Sequence, residues 1–131
     1  RRAKLGQYGF GVEKAETKCG ALSGGEKARL MLMLTAFHAP HLIILDEPTN
    51  GLDVMSTRAM REMIRKLREE GCCVVFSSHI MQEVSALCDR IVVIAHGRVV
   101  AEGTPDDLRT QTGRENLEDA FVALVGLEVQ E

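Results

Sequence analysis

The segment Leu42 to Asp53, LIILDEPTNGLD, leaves this chain few choices of fold. Leu42, Ile43, Ile44 and Leu45 form an apolar run between Pro40 and Pro48. The run is too short for a typical helix and β-branched enough for a buried strand. Two acids, Asp46 and Glu47, follow at once. A buried strand ending in acids sets them at the carboxyl edge of a sheet, where α/β folds bind their ligands. An Asp-Glu pair by itself is more often a solvated strand end. Here PTNGLD follows it and LSGGE precedes it, and together they favour a site.

Upstream, LSGGEKARLMLMLTAFHA reads as a helix closed by Pro40. Ser23 is a good N-cap, and Glu26 stands three residues on, the capping-box spacing. Leu30, Leu34 and Phe37 fall at helical spacing, as do Met31, Leu32 and Thr35 on a wider face, which suits a capped core helix. A Ser-Gly-Gly turn at a helix start gathers free N–H groups and the positive end of the macrodipole, with no side chain to obstruct a phosphate. Residues Arg1 to Phe10 suit the tail of an amphipathic helix weakened by Gly6 and Gly9, and Gly11 to Gly20 a loop.

Downstream, Ser56 is the expected cap of a helix to about Glu70, with Ala59, Met60, Met63, Ile64 and Leu67 inward and Gly71 at its end. Its charged face mixes both signs, which suits solvent better than nucleic acid. Cys72 to Phe76 reads as a strand leading to Ser77, Ser78 and His79, followed by a short helix over Ile80 to Cys88. Arg90 to Ala95 and Arg98 to Glu102 flank His96-Gly97, a tight hairpin turn. Thr104 caps a helix with Pro105 at its first position, and Asn116 caps a last helix expected to stop at Gly126.

These motifs resemble the ABC-type ATPases. LSGGE (Leu22 to Glu26) matches the family's signature loop, with Glu26 where Gln is commoner. LIILDE matches its Walker B strand, GLD (Gly51 to Asp53) its D-loop, and His79 its switch histidine. The resemblance implies an α/β fold: a partial P-loop NTPase domain with a mostly parallel sheet and C-terminal helices. The end of the helical subdomain with the signature loop would occupy 1–40, the core strands 41–103 and C-terminal helices 104–131. It also implies roles. Asp46 would hold Mg²⁺, Glu47 would polarise the attacking water and His79 would bond the γ-phosphate of ATP. Ser23, Gly24, Gly25 and Glu26 would face a nucleotide held by a second ATPase domain, and Asp53 would tie the dimer together. The other implied partner is a transmembrane permease subunit, which would place the protein in the cytoplasm at the inner face of the plasma membrane.

No G-x-x-x-x-G-K-[ST] phosphate loop occurs in these residues, and Gln7 is too isolated to serve as the family's glutamine loop. The chain begins Arg1-Arg2 and reads as a cut. By itself it is expected neither to bind ATP tightly nor to hydrolyse it. In the family's sheet the phosphate-loop strand lies between the strand ending at His79 and the one beginning near Arg90. Without it, exposed apolar edges are expected to drive self-association or to need an absent N-terminal half.

LSGGEKARL and APHLIILDEPTN resemble ABC-F, the translation-factor branch that acts on ribosomes, whereas SSHIMQEVSALCDRIVVIAHGRVVAEGTPDDL and NLEDAFVALVG resemble exporter subunits of the drug- and sodium-exporter type. More of the chain fits the exporter. An ABC-F fragment, or an inactive chimera joined near Asn50, is the alternative.

Composition narrows matters further. The net charge of −3 is spread over interspersed residues, so no nucleic-acid partner is expected outside the ABC-F reading. No apolar run approaches the roughly 18 residues of a membrane span. Cys19, Cys72, Cys73 and Cys88 show no metal spacing and read as reduced, packed thiols.

Overall fold

The computed structural model describes residues 6, 10, 11, 14 and 16–127. The helix expected over residues 1–10 lies outside the described residues except for Gly6 and Phe10, and Gln7 lies outside them too. The chain falls into two compact units, Arg1–Ser77 and Ser78–Glu131.

The first unit is a strand–helix–strand motif preceded by a short 3₁₀ turn, Cys19–Ala21, and by helix α1, Gly24–Ala36. The expected capping box starts α1. The Glu26 N–H donates to Ser23 Oγ at 3.3 Å, and the Ser23 N–H donates to Glu26 Oε2 at 2.9 Å. Of the residues at helical spacing, the buried face takes Leu32 and leaves Leu34 and Phe37 outside. Gly25, Leu32, Met33 and Ala36 are buried, whereas Leu34 and Phe37 are 54% and 41% exposed. The reason is the rotation of α1: its backbone approaches the next helix at Gly25, so residues in helical register with Gly25 face inward. α1 stops at Ala36, and Ala39, at φ 50°, turns the chain before Pro40.

Strand β1, Leu42–Leu45, pairs in parallel with β2, Cys73–Phe76, and helix α2, Val54–Glu69, makes the crossover. The register sets Leu42 opposite Cys73 and Ile44 opposite Val75. The cap of α2 is Asp53, not Ser56. Asp53 Oδ1 accepts from the Ser56 N–H at 2.9 Å, and Oδ2 accepts from the Ser56 hydroxyl at 2.7 Å. Asp and Ser both cap well, and Asp53 stands where the chain leaves extended backbone, at φ −67° and ψ 166°. Met60, Met63, Ile64 and Leu67 form the buried stripe as expected, whereas Ala59 at its edge is only half-buried. At the far end the N–H groups of Gly71 and Cys72 donate to the carbonyls of Arg68 and Leu67, both at 2.9 Å, a Schellman closure. α2 packs on β2 and on α1.

The second unit holds helix α3, Met81–Leu87, a hairpin of β3, Ile91–Ala95, and β4, Arg98–Gly103, then α4, Pro105–Thr112, and α5, Leu117–Leu127. His96 and Gly97, at φ 50° and 76°, make the two-residue turn with both centres left-handed, as a twisted hairpin prefers. A bulge at Val93/Ile94 shifts the register, so Val93 faces Ala101 while Ile94 faces Val99. The extra residue lets both Val100 and Ala101 pack on the core of Val84, Val93, Leu108 and Leu117. α4 carries the expected cap on Thr104, completed by Asp107, and Asn116 Oδ1 accepts the Asp119 N–H at 2.8 Å at the start of α5. α5 continues through Gly126 to Leu127.

The α/β class therefore stands, with a parallel pair in one unit and an antiparallel pair in the other; among the described residues no ladder joins them. All four cysteines are free, but only Cys72 and Cys88 are packed: Cys19 is exposed, and so is Cys73, because neighbours in an extended segment point to opposite faces.

Candidate functional site

The site-bearing residues of the first unit fall into two clusters. The first lies where β1 and β2 end. The ladder continues one residue past β2, with the Ser77 N–H donating to the Leu45 carbonyl at 3.0 Å. That bond holds Ser77 beside the two acids. Its hydroxyl donates to Asp46 Oδ1 at 2.6 Å and accepts from the Glu47 N–H at 2.9 Å. Asp46 is exposed and Glu47 half-buried. Glu47 has φ 45°, in the left-handed region that a side chain bearing Cβ occupies at a cost of about 1–3 kcal/mol. Beyond it, the Asn50 N–H donates to the Glu47 carbonyl at 3.0 Å and the Leu52 N–H to that of Thr49 at 3.2 Å. These turns fold PTNGL back, with Thr49 buried, and deliver Asp53 to the head of α2.

The second cluster joins the heads of α1 and α2. A Cβ on Gly25 would lie 1.9 Å from Ser56 Oγ and 2.4 Å from Ser56 Cβ, so only glycine lets the two helix starts meet this closely. Ser56 is in turn held by Asp53. The two hydrogen bonds from Ser56, the hydroxyl's first, keep the Asp53 carboxyl below its usual range. Ser23 and Gly24 are exposed at the head of α1, where first-turn amides have no acceptor within the helix. Glu26 serves the capping box and also pairs with Lys14. The Lys14 hydrogen bond first, then the Ser23 N–H, bring its carboxyl from 4.5 down to about 2.

The structure thus brings Asp46 and Glu47 together through Ser77, and Gly25 and Asp53 together through Ser56. His79 belongs to the second unit, two residues along the chain from Ser77. Neither Ser77 nor the contact of Ser56 with Gly25 was identified from sequence. Ser77 stands 31 residues from Asp46 and bonds to it only once β2 lies beside β1, so no local pattern marks it.

Among the described residues no group of three or more His, Cys, Asp or Glu side chains could hold a metal ion. Mg²⁺ does not need such a cage, since it commonly takes one or two carboxylates with waters and substrate phosphates. Asp46 fits that use. It is exposed, and Oδ1 bonds to Ser77, while Oδ2 accepts no hydrogen bond among the described residues. No described helix is long and apolar enough to cross a membrane.

Comparison with known proteins agrees with the geometry. The family described as ABC transporter matches residues 2–50. The chain is 38% identical over 117 residues to the linearmycin resistance ATP-binding protein of Bacillus subtilis (strain 168), covering 89% of this chain and 38% of that protein. It is 44% identical over 95 residues to the Nod factor export ATP-binding protein I of Burkholderia orbicola, covering 72% of this chain and 31% of that one. A solved structure of the ATP binding subunit of an ABC transporter superposes with a TM-score of 0.77 at 30% identity, covering 95% of this chain and 55% of the other. The chain spans less than half the length of either curated relative.

Proposed function

This chain carries a portion of the ABC-transporter ATP-binding domain, and from that premise we propose that it works within the ATP-binding and ATP-hydrolysing subunit of an exporter. The observation that carries the reading is the carboxyl edge of β1 and β2, where Asp46, Glu47 and Ser77 form one bonded group. The relatives named for linearmycin resistance and Nod factor export favour an exporter over the ribosome-associated branch.

In this reading Asp46, whose exposed carboxylate Ser77 holds in place, would hold Mg²⁺. The ion, when bound, offsets the negative charge of the nucleotide's phosphates. Glu47 orients and polarises the attacking water, and His79 bonds the γ-phosphate. The amides of Ser23, Gly24 and Gly25 face the phosphate of a nucleotide held by the second ATPase domain. Glu26 supports that turn from within, because its carboxylate already caps it. Asp53 does the same for the head of α2, and through Gly25 it couples α2 to the signature turn. A transmembrane permease subunit is the partner, and the cytoplasmic side of the membrane is the setting.

The test is a graft. These residues replace the matching stretch of the Bacillus subtilis linearmycin resistance relative, and ATP hydrolysis is measured. The graft is expected to turn over ATP, and Glu47→Gln within it to lose roughly a hundredfold or more while still binding nucleotide, since a general base commonly contributes that much. Equal turnover with Gln at position 47 would remove the catalytic reading. Binding of ATP by the 131-residue chain alone with micromolar affinity would show that the phosphate loop is dispensable.

A further inference from the structure

The geometry points to Ser77 as the positioning residue of the acid pair, one hydroxyl that fixes the Asp46 carboxylate and the Glu47 backbone together. A hydroxyl has a single proton. Here it is spent on Asp46 Oδ1, at 2.6 Å, so the Glu47 N–H, at 2.9 Å, must come to a lone pair of the same oxygen. The two bonds therefore reinforce one another: a hydroxyl polarised by a carboxylate is the better acceptor. Both are placed by the ladder bond from the Ser77 N–H to the Leu45 carbonyl, so the position of Ser77 owes nothing to the acids it holds.

What the Glu47 bond holds is not a relaxed conformation. Glu47 sits at φ 45°, a left-handed backbone that a residue bearing a Cβ seldom adopts. The Ser77 hydroxyl supplies that amide with a partner across the strand pair, from a residue 30 positions away. A cation drawn to the Asp46 carboxylate would bear on the same Ser77 oxygen that receives the Glu47 N–H. The inference rests on the proposed roles of Asp46 and Glu47, and it adds the group that sets their relative pose.

The test is made on the 131-residue chain by NMR, comparing the parent with Ser77→Ala and Ser77→Thr. Alanine removes both bonds; threonine keeps the hydroxyl and suits the end of a strand. Ser77→Ala is expected to speed hydrogen exchange at the Glu47 amide roughly tenfold, as loss of one hydrogen bond can. It should also move the Glu47 three-bond HN–Hα coupling, while the Cys73 and Ser77 amides in the ladder keep their protection. Ser77→Thr should restore the parent values. An unchanged Glu47 amide in the alanine variant, or no restoration by threonine, would overturn the assignment. If the alanine variant does not fold, the parent decides alone. A slowly exchanging Ser77 hydroxyl proton near the Glu47 amide supports the clamp, and a freely exchanging one overturns it. In the grafted relative, Ser77→Ala should lower kcat with little change in KM for ATP, because the pose of Glu47 matters at the reacting water. Failure of the functional reading looks different: the graft is then inert with Ser77 in place, whatever the Glu47 amide reports.

Discussion

In the first unit α2 packs on β2, and Leu42, Ile44 and Val75 on the other face of the parallel pair are 52%, 72% and 51% exposed. In the second unit the antiparallel hairpin β3–β4 also shows an apolar outer face, with Val92 and Ile94 50% and 64% exposed. The same exposure means different things. Antiparallel sheets commonly leave one face to solvent, whereas parallel sheets are almost always covered on both. The second unit also encloses its own core, with Leu108 only 1% exposed among residues of β3, α3 and α5. The first unit holds the acids, the tight Gly25 approach and the left-handed Glu47. Each unit has its own buried core, but the first also carries the acid pair, while the second carries His79.

The largest expected effect is in the self-contained core. Leu108→Ala should cost about 2–5 kcal/mol, the range for deleting a fully buried leucine. Urea unfolding of the parent and the variant measures it. A loss below about 1 kcal/mol would mean that the core of the second unit collapses around the gap, and the contrast with the first unit would weaken.

Next comes the close approach in the first unit. Gly25→Ala sets a methyl 1.9 Å from Ser56 Oγ, and such overpacking costs about 1–3 kcal/mol. Ser56→Gly removes both atoms that the methyl meets, so the double variant should lose less than the sum of the two single variants. Strict additivity in the same unfolding assay would show that the contact does not join the helix heads. Asp53→Ala should cost about 1 kcal/mol through loss of the α2 cap, while Asp53→Asn keeps most of it, since Asn caps as well as Asp. Hydrogen exchange in the first turn of α2 is the readout, and equal loss in both variants would place the effect outside the cap.

What could be read beforehand followed the range of the interaction. Caps at Ser23, Thr104 and Asn116, the hairpin turn at His96-Gly97 and the α2 stripe are written within a few residues of one another, and each is present. The inward face of α1 could not be chosen beforehand, because Leu30, Leu34 and Phe37 match a helical period as well as Leu32 does, and what sets the rotation is a glycine packed on a helix that begins 29 residues later. Ser56 has good cap chemistry, but Asp53 precedes it at the true end of the turn. The acids of the candidate site stood out because they end an apolar strand. Ser77 was not, because its role exists only across β1 and β2.

The smallest effect contrasts the two capping boxes, one in each unit. Glu26 in the first is brought from 4.5 to about 2, chiefly by the Lys14 hydrogen bond and then by the Ser23 N–H. Asp107 in the second is lowered chiefly by the Thr104 N–H, then by the Thr104 hydroxyl, with Arg90 contributing least. Both carboxyls hold their protons less tightly folded than unfolded. The support each gives is therefore complete above the ordinary carboxylate range and is lost as pH falls through the folded value. For Glu26 that window runs from 4.5 down to about 2. The side chains are open to solvent, so the contribution is small and screened. The causes still differ in kind: a cation partner weakens with added salt, and a bond from the neighbouring backbone much less. Carboxyl carbon NMR titrations should therefore show the Glu26 midpoint rising in salt more than that of Asp107. Lys14→Gln should raise the Glu26 midpoint and leave Asp107 in place. An equal salt response would mean that both boxes are held by local backbone alone, and the first unit would lose one of the long-range contacts that set it apart.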